Sequence, residues 1–190
     1  MALISEFPNK VLPNGSDKVL IQSGDTYYSA ELENLPGNSS GGGDNSYAIL
    51  QDRKAWGVFP QTTVANAWTD RQLTTVVADT IGGVSISSGV IINIPPGNYR
   101  ISVVQAFYDG WGSAIRFVKA NDGSVLLRSI GVWFDSGGSI TMRGRFSAGA
   151  GDSFKLQYIT NRSSVQGLGS WVKFPNAEQE IYTDILLEKL

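Results

Sequence analysis

The sequence predicts an all-β protein built as a jelly-roll β-sandwich, and three observations carry that reading. Apolar and polar residues alternate in short runs, most clearly in EIYTDILLEK (Glu180 to Lys189) and in NYRISV (Asn98 to Val103). Glycine is frequent, 22 of 190 residues, as tight turns between short strands require. No window repeats apolar residues every three or four positions over ten residues without a glycine, so no helix of any length is expected.

The elements follow in order. KVLIQSGDTYYSAEL (Lys18 to Leu32) reads as two short strands around Ser23-Gly24-Asp25, with Val19, Leu20 and Ile21 before the turn and Tyr27 and Tyr28 after it. Leu3, Ile4 and Phe7 precede this hairpin, and Pro8 and Pro13 hold the intervening path extended. The run PGNSSGGGDN (Pro36 to Asn45) is a glycine- and serine-rich connection. The chain therefore divides into an arm (1–35), a linker (36–46) and a larger domain (47–190). An arm this short buries too little to fold alone, so it packs on the larger domain or docks on another molecule.

In the larger domain, Tyr47 to Asp52 is a short strand suited to an edge. RQLTTVVADT (Arg71 to Thr80) is β-branched and bounded by Gly82-Gly83. Val90 to Ile94 runs into Pro95-Pro96-Gly97-Asn98, a turn, after which Tyr99, Ile101 and Val103 alternate with Arg100 and Ser102. Ala114 to Ala120 and Val125 to Ile130 flank the hairpin signal Asn121-Asp122-Gly123-Ser124. Ser139 to Ala148 is a further strand, and in SFKLQYIT Phe154, Leu156 and Tyr158 alternate with Lys155 and Gln157. In the last strand Ile181, Thr183, Ile185 and Leu187 alternate with Tyr182, Asp184 and Glu188. Some eight short strands at this spacing make a sandwich or barrel.

Composition excludes several functions. Hydrophobic residues make up 42% and charged residues 17%, which is a core-forming chain. With no cysteine and no histidine, disulfides, thiol nucleophiles, Cys/His zinc sites and histidine-based triads are ruled out. The net charge is −2 and no basic run is present, so no nucleic-acid partner is expected. Val84 to Ile94, the most apolar stretch, is too short and too polar to cross a bilayer, and MALISEFPNK lacks the pattern of a secretory signal. No membrane partner is expected, and the absence of cysteine fits synthesis in a reducing cytoplasm.

Motifs for catalysis are missing as well. Most aspartates stand in turn contexts, as in Asp109-Gly110, Asp122-Gly123, Asp135-Ser136-Gly137 and Gly151-Asp152, where the carboxylate bonds nearby backbone. A glycosidase needs two carboxyl groups facing each other across a cleft, and no such pair is legible. There is no regular calcium-ligand spacing, no nucleophile elbow, no phosphate loop and no dinucleotide fingerprint. The protein is read as a non-enzyme with no metal and no cofactor. Loop aromatics stand out instead: Tyr108-Asp109-Gly110-Trp111, Trp133-Phe134-Asp135 and Trp171. A ring beside a carboxylate grips sugars by stacking and hydrogen bonding, making Tyr108, Trp111 and Trp133 candidate glycan contacts. Alternatively, these rings plug the sandwich ends or a subunit interface.

W…RQLTT (Trp68 to Thr75), IPPGNYRI (Ile94 to Ile101), MRGRF (Met142 to Phe146) and the closing EIYTDILLEK, in this order, resemble the jelly-roll knobs of tailed-bacteriophage structural proteins. These are themselves similar to tumour-necrosis-factor and complement-type trimers. SVQGLGSW (Ser164 to Trp171) follows the glycine-aromatic loop of such knobs only loosely. ISEF followed by PNGSDKVLIQSGDTYYSAEL resembles the anchoring start of phage fibres. The resemblance implies a homotrimer joined through one sheet face, with Tyr158, Tyr182 and Leu186 as candidates for that face, or else with the tyrosines in the monomer's own core or rim. It also implies an arm that pins the knob to capsid or tail proteins through Leu3, Ile4, Phe7, Val19, Leu20, Ile21, Tyr27 and Tyr28. The expected role is a virion structural protein, assembled in the host cytoplasm as a capsid decoration, head fibre or short tail fibre. The alternative is an adhesin for a host surface glycan; a particle-bound glycan hydrolase ranks last.

Overall fold

The computed structural model describes residues 18–23, 26–31, 46–55, 57–108, 111–169 and 179–190. It comprises two units, Met1–Asp44 and Asn45–Leu190. In the first, β1 (Lys18–Ser23) and β2 (Thr26–Glu31) form an antiparallel hairpin in register from Lys18↔Glu31 to Ser23↔Thr26. The strand pair expected around Ser23-Gly24-Asp25 is therefore present in the backbone. Leu3, Ile4 and Phe7 lie outside the described residues.

The second unit is a sandwich of two antiparallel sheets, with no helix among the described residues. Its strands are β3 (Tyr47–Lys54), β4 (Thr69–Asp70), β5 (Thr75–Asp79), β6 (Ser85–Ser87), β7 (Ile91–Asn93), β8 (Gly97–Tyr108), β9 (Trp111–Lys119), β10 (Val125–Arg128), β11 (Val132–Phe134), β12 (Gly137–Ala148), β13 (Ser153–Thr160) and β14 (Glu180–Lys189). One sheet runs β12-β8-β14-β3-β5 and the other β10-β9-β13-β7-β6, with β11 also on β9 and β4 also on β13. Apart from the local hairpins β6-β7 and β9-β10-β11, successive strands cross between the sheets, and β14 inserts between β8 and β3, as in a jelly roll. The strand β3 is not an edge: β5 covers its outer side.

The two long strands β8 and β12 pair over twelve residues, from Gly97↔Ala148 to Tyr108↔Gly137. Their inward positions, Tyr99, Ile101, Val103 and Phe107 against Ile140, Met142 and Phe146, meet Ile115, Phe117, Phe154 and Leu156 of the facing sheet. Phe117, Phe146 and Phe154 form a ring cluster with centroids 5.1–5.3 Å apart. Each such ring, once fully buried, contributes about 1.5–3 kcal/mol. Gly144 lets β10 close over β12: a Cβ there would stand 2.4 Å from a Leu127 methyl. At the 121–124 turn Gly123 takes φ +72° and the Asp122 carboxylate accepts from the Ser124 amide at 2.8 Å, the expected turn chemistry.

Arg71 to Thr74 is not strand. Arg71 donates its amide to the Leu156 carbonyl in one sheet, while the Thr74 amide reaches Gln51 in the other. The segment crosses the sandwich end and buries Arg71 and Leu73 between the layers. There the Arg71 guanidinium donates to Gln105 at 3.0 Å, to Thr183 at 2.7 Å and to Asp52 at 2.7 Å.

The tyrosines expected at a trimer face are instead part of this interior. Tyr158 shares its phase with Phe154 and Leu156, is fully buried, and donates its hydroxyl to the Thr62 carbonyl. Tyr182 is buried too, because β14 carries a bulge between Ile181 and Thr183 that breaks the alternation. Its ring lies against Gly169 and its hydroxyl donates to Glu180 and to the Val58 carbonyl. Burial, then the Glu180 carboxylate, hold the Tyr182 phenol well above its ordinary value. Only Leu186 stands on the outer face, opposite Ile49.

Candidate functional site

One end of the second sheet carries an exposed pair of tryptophans. β11 pairs with the start of β9, setting Trp133 opposite Gly112 and Phe134 opposite Trp111. The Trp111 and Trp133 rings lie 5.5 Å apart, tilted by 32°, and are 42% and 58% exposed. Two neighbouring indoles left this open form a surface feature that no core requires.

Backbone geometry builds the pair. Alternation along β9 points Ser113, Ile115 and Phe117 inward, and Trp111 shares their phase. Trp111 takes φ +51°, a left-handed conformation uncommon for a bulky side chain, which turns its ring out of that phase. The Ser113 hydroxyl donates to the Trp111 carbonyl at 3.3 Å and ties down this irregular start. Phe134 anchors the other partner by stacking on Phe107 at 6.0 Å, and Gly138 leaves its ring room, since a Cβ there would come within 2.1 Å of Phe134.

Each indole has a polar neighbour. The Trp133 Nε1–H donates to the Asp135 carboxylate at 2.9 Å, and the Arg162 guanidinium lies over Trp111 at 5.3 Å. Beside them is a shallow hollow of about 370 Å³, lined by Gly112, Ala114, Gly131, Ile159 and Asn161 among others. Its floor is open because Gly112, Ala114 and Gly131 carry almost no side chain. The Asn161 carboxamide rests directly on Gly112, where a Cβ would stand 2.6 Å from Nδ2.

An exposed apolar shelf of two tilted indoles, flanked by a carboxamide and a guanidinium, is suited to a sugar ring. Sugars are gripped in general by stacking a CH face on an aromatic ring while hydroxyls bond a nearby amide. Of the expected glycan contacts the structure unites Trp111 and Trp133. Tyr108 ends β8 opposite Gly137, and among the described residues no ring contact joins it to either tryptophan. Asp109, Gly110 and Trp171 lie outside the described residues. Gly112, Asn161 and Arg162 carried no sequence signal, because they meet Trp111 only through the pairing of β13 with β9.

Among the described residues no group of three or more carboxylates gathers as a metal site would require. The aspartates at 122 and 152 serve turns: Asp152 accepts from the Gly149 amide at 2.8 Å and from Lys119 at 2.9 Å. The Lys119 bond, then the Gly149 amide, hold the Asp152 carboxyl below its ordinary value.

No family model matches the chain, and no curated protein matches it in sequence. Solved structures are similar to it in chain path. Murine APRIL at pH 5.0 is similar at 17% identity and a TM-score of 0.49, over 76% of this chain and 98% of that one. Eiger TNF from S. frugiperda is similar at 12% identity and a TM-score of 0.49, over 76% and 91%. The globular domain of zebrafish complement 1qA is similar at 9% identity and a TM-score of 0.45, over 77% and 96%. The likeness is one of chain path. The jelly roll stands on the strand order of the chain itself, and function is argued from its own residues.

Proposed function

We propose that the protein is a non-enzymatic knob of a bacteriophage particle that holds a host surface glycan on its Trp111–Trp133 shelf. The observation that carries the binding role is the shelf itself: two exposed indoles, one bonded to Asp135 and the other under Arg162, beside an open hollow. The particle role is supported by the order of segments that resemble phage knobs and by a separate N-terminal hairpin unit suited to anchoring. The knob assembles as a homotrimer. Support for this comes from the outer face of the five-stranded sheet, where Leu186 and Ile49 stand opposite each other and, with Tyr47, line a hollow of about 680 Å³. Threefold display multiplies a weak single site into useful avidity.

The test is a printed array of bacterial surface polysaccharides probed with the full chain, with Trp111→Ala and with Trp133→Ala. The wild type is expected to retain on particular saccharides, and each variant to lose retention with an unchanged far-UV circular dichroism spectrum. Retention by both variants at wild-type strength, or by no protein on any saccharide, contradicts the proposal.

The second reading is a purely structural knob. The same outer sheet face favours it, since a trimer interface needs no ligand.

A further inference from the structure

The outer face of the second sheet continues past the tryptophan shelf. Gly112, Ala114 and Arg116 succeed one another on the outward side of β9, and Asn161, Ile159 and Gln157 stand opposite them on and just beyond β13. From Gly112 to Arg116 is about 13 Å at about 3.3 Å per residue, a strip longer than one sugar ring.

At its far end two guanidiniums converge on one indole. Arg116 lies over Trp68 at 4.2 Å and Arg128 at 5.4 Å. Arg116 and Arg128 are also direct cross-strand partners of β9 and β10, a like-charge placement that opposes sheet pairing. The nearest carboxylate is already engaged. Gln157 accepts from Arg116 Nε at 2.7 Å and donates to Asp70 at 2.7 Å, while the other Asp70 oxygen takes Lys155 at 2.7 Å. Arg128 makes no ion pair among the described residues. Burial, and after it the Arg128 charge, push the Arg116 guanidinium below its ordinary value. Two cations thus share one ring, and Asp70, the carboxylate that acts on Arg116, is itself bonded to Gln157 and Lys155.

We propose that Trp68, Arg116 and Arg128 form a subsite for an anionic group of a saccharide, a carboxylate or a phosphate ester. The rest of the chain lies along the strip toward Trp111 and Trp133. This assignment rests on the shelf reading above. An anion between the guanidiniums removes their mutual repulsion and gains charge-assisted hydrogen bonds, which a neutral sugar cannot do. The ligand class is accordingly an acidic polysaccharide and not a neutral one.

The test is an NMR titration of the ¹⁵N-labelled full chain, following the indole N–H signals assigned by single Trp→Phe variants. The probes are sodium glucuronate, glucose 6-phosphate, glucose, and sodium chloride at equal ionic strength. The Trp68 signal is expected to shift saturably with at least one acidic sugar, and which one responds separates carboxylate from phosphate. Glucose and salt should leave it in place. Arg128→Gln should weaken the response about tenfold, the loss of one charge-assisted bond of about 1.4 kcal/mol. Arg143→Gln, on an exposed outward position of β12 in the other sheet, should leave it intact. A Trp68 shift equal with glucose or salt, no shift with either acidic sugar, or an undiminished shift in Arg128→Gln overturns the subsite. A Trp68 response to a single acidic sugar supports the subsite whatever the shelf signals do, because one ring is shorter than the strip. Trp111 and Trp133 signals that also stay silent with an acidic oligosaccharide long enough to span it remove the shelf reading. A shelf response with a silent Trp68 overturns the subsite and leaves the shelf reading standing.

Discussion

The Arg71 guanidinium donates to the Asp52 carboxylate at 2.7 Å at a point where neither side chain reaches water. Gln105 and Thr183 take its Nε, and the Lys54 ammonium stands 3.2 Å from the second Asp52 oxygen. This polar knot joins β3, β8 and β14 to the segment that crosses the sandwich end. Removing one member of a buried pair strands its partner, at a cost of about 3–5 kcal/mol. Arg71→Met is expected near the low end of that range, because Lys54 still faces Asp52. Asp52→Leu together with Arg71→Met should recover most of the loss. Urea denaturation of both proteins checks this, and a double variant less stable than the single one contradicts it.

A second prediction concerns acid. The folded Asp152 carboxyl is held below its ordinary value of about 3.9 by Lys119 and the Gly149 amide. A depressed folded value contributes stability that is complete above the unfolded value and disappears as pH falls through the folded one. The stability difference between wild type and Asp152→Asn should therefore be constant through neutral and mildly acidic pH, and shrink only below about pH 4. Denaturation curves at a series of pH values test the sign; a difference that grows on acidification is inconsistent with it.

A third links packing to the shelf. Gly138→Ala places a methyl within 2.1 Å of the Phe134 ring, on the strand that carries Trp133. Overpacking of this kind costs about 1–3 kcal/mol. Displacement of β11 should also alter the coupling of the two indoles, seen as a changed tryptophan circular dichroism band. The nearest atoms to a Cβ at Gly112→Ala belong to the movable Asn161 carboxamide, so this should be the milder change. A Gly138→Ala protein with wild-type stability and spectrum refutes the packing described here.

The fourth concerns assembly. Leu186 and Ile49 face each other on the outer sheet surface, with Val104 exposed on the next strand. If this surface joins three copies, Leu186→Arg should leave the fold intact and reduce the mass measured by light scattering from three chains to one. A single-chain mass for the wild type contradicts the trimer directly.

Much of the fold was legible because its strands obey simple alternation. SFKLQYIT and EIYTDILLEK match β13 and β14 residue for residue. The failures are local and physical. The bulge after Ile181 moves Tyr182 out of phase with Leu186, and a one-residue slip reverses a side chain. Tyr158 keeps perfect phase with Phe154 and Leu156, so its burial follows from the alternation that the trimer assignment set aside. The run from Arg71 to Thr74 looked like strand because β-branched residues follow it, while its hydrogen bonds go to both sheets. At the site, Trp111 and Trp133 were visible as rings near turn residues. Their contact was not, because it depends on β11, a three-residue strand, and on a positive φ at Trp111.

The most direct measurement is a calorimetric titration of the saccharide selected on the array into the full-length protein, Trp111→Ala and Trp133→Ala. One saturable site per chain is expected in the wild type. Each alanine variant should bind at least about tenfold more weakly, as loss of an aromatic contact of about 1.5 kcal/mol requires. Unchanged affinity in both variants would show that the tryptophan pair is not where the ligand binds.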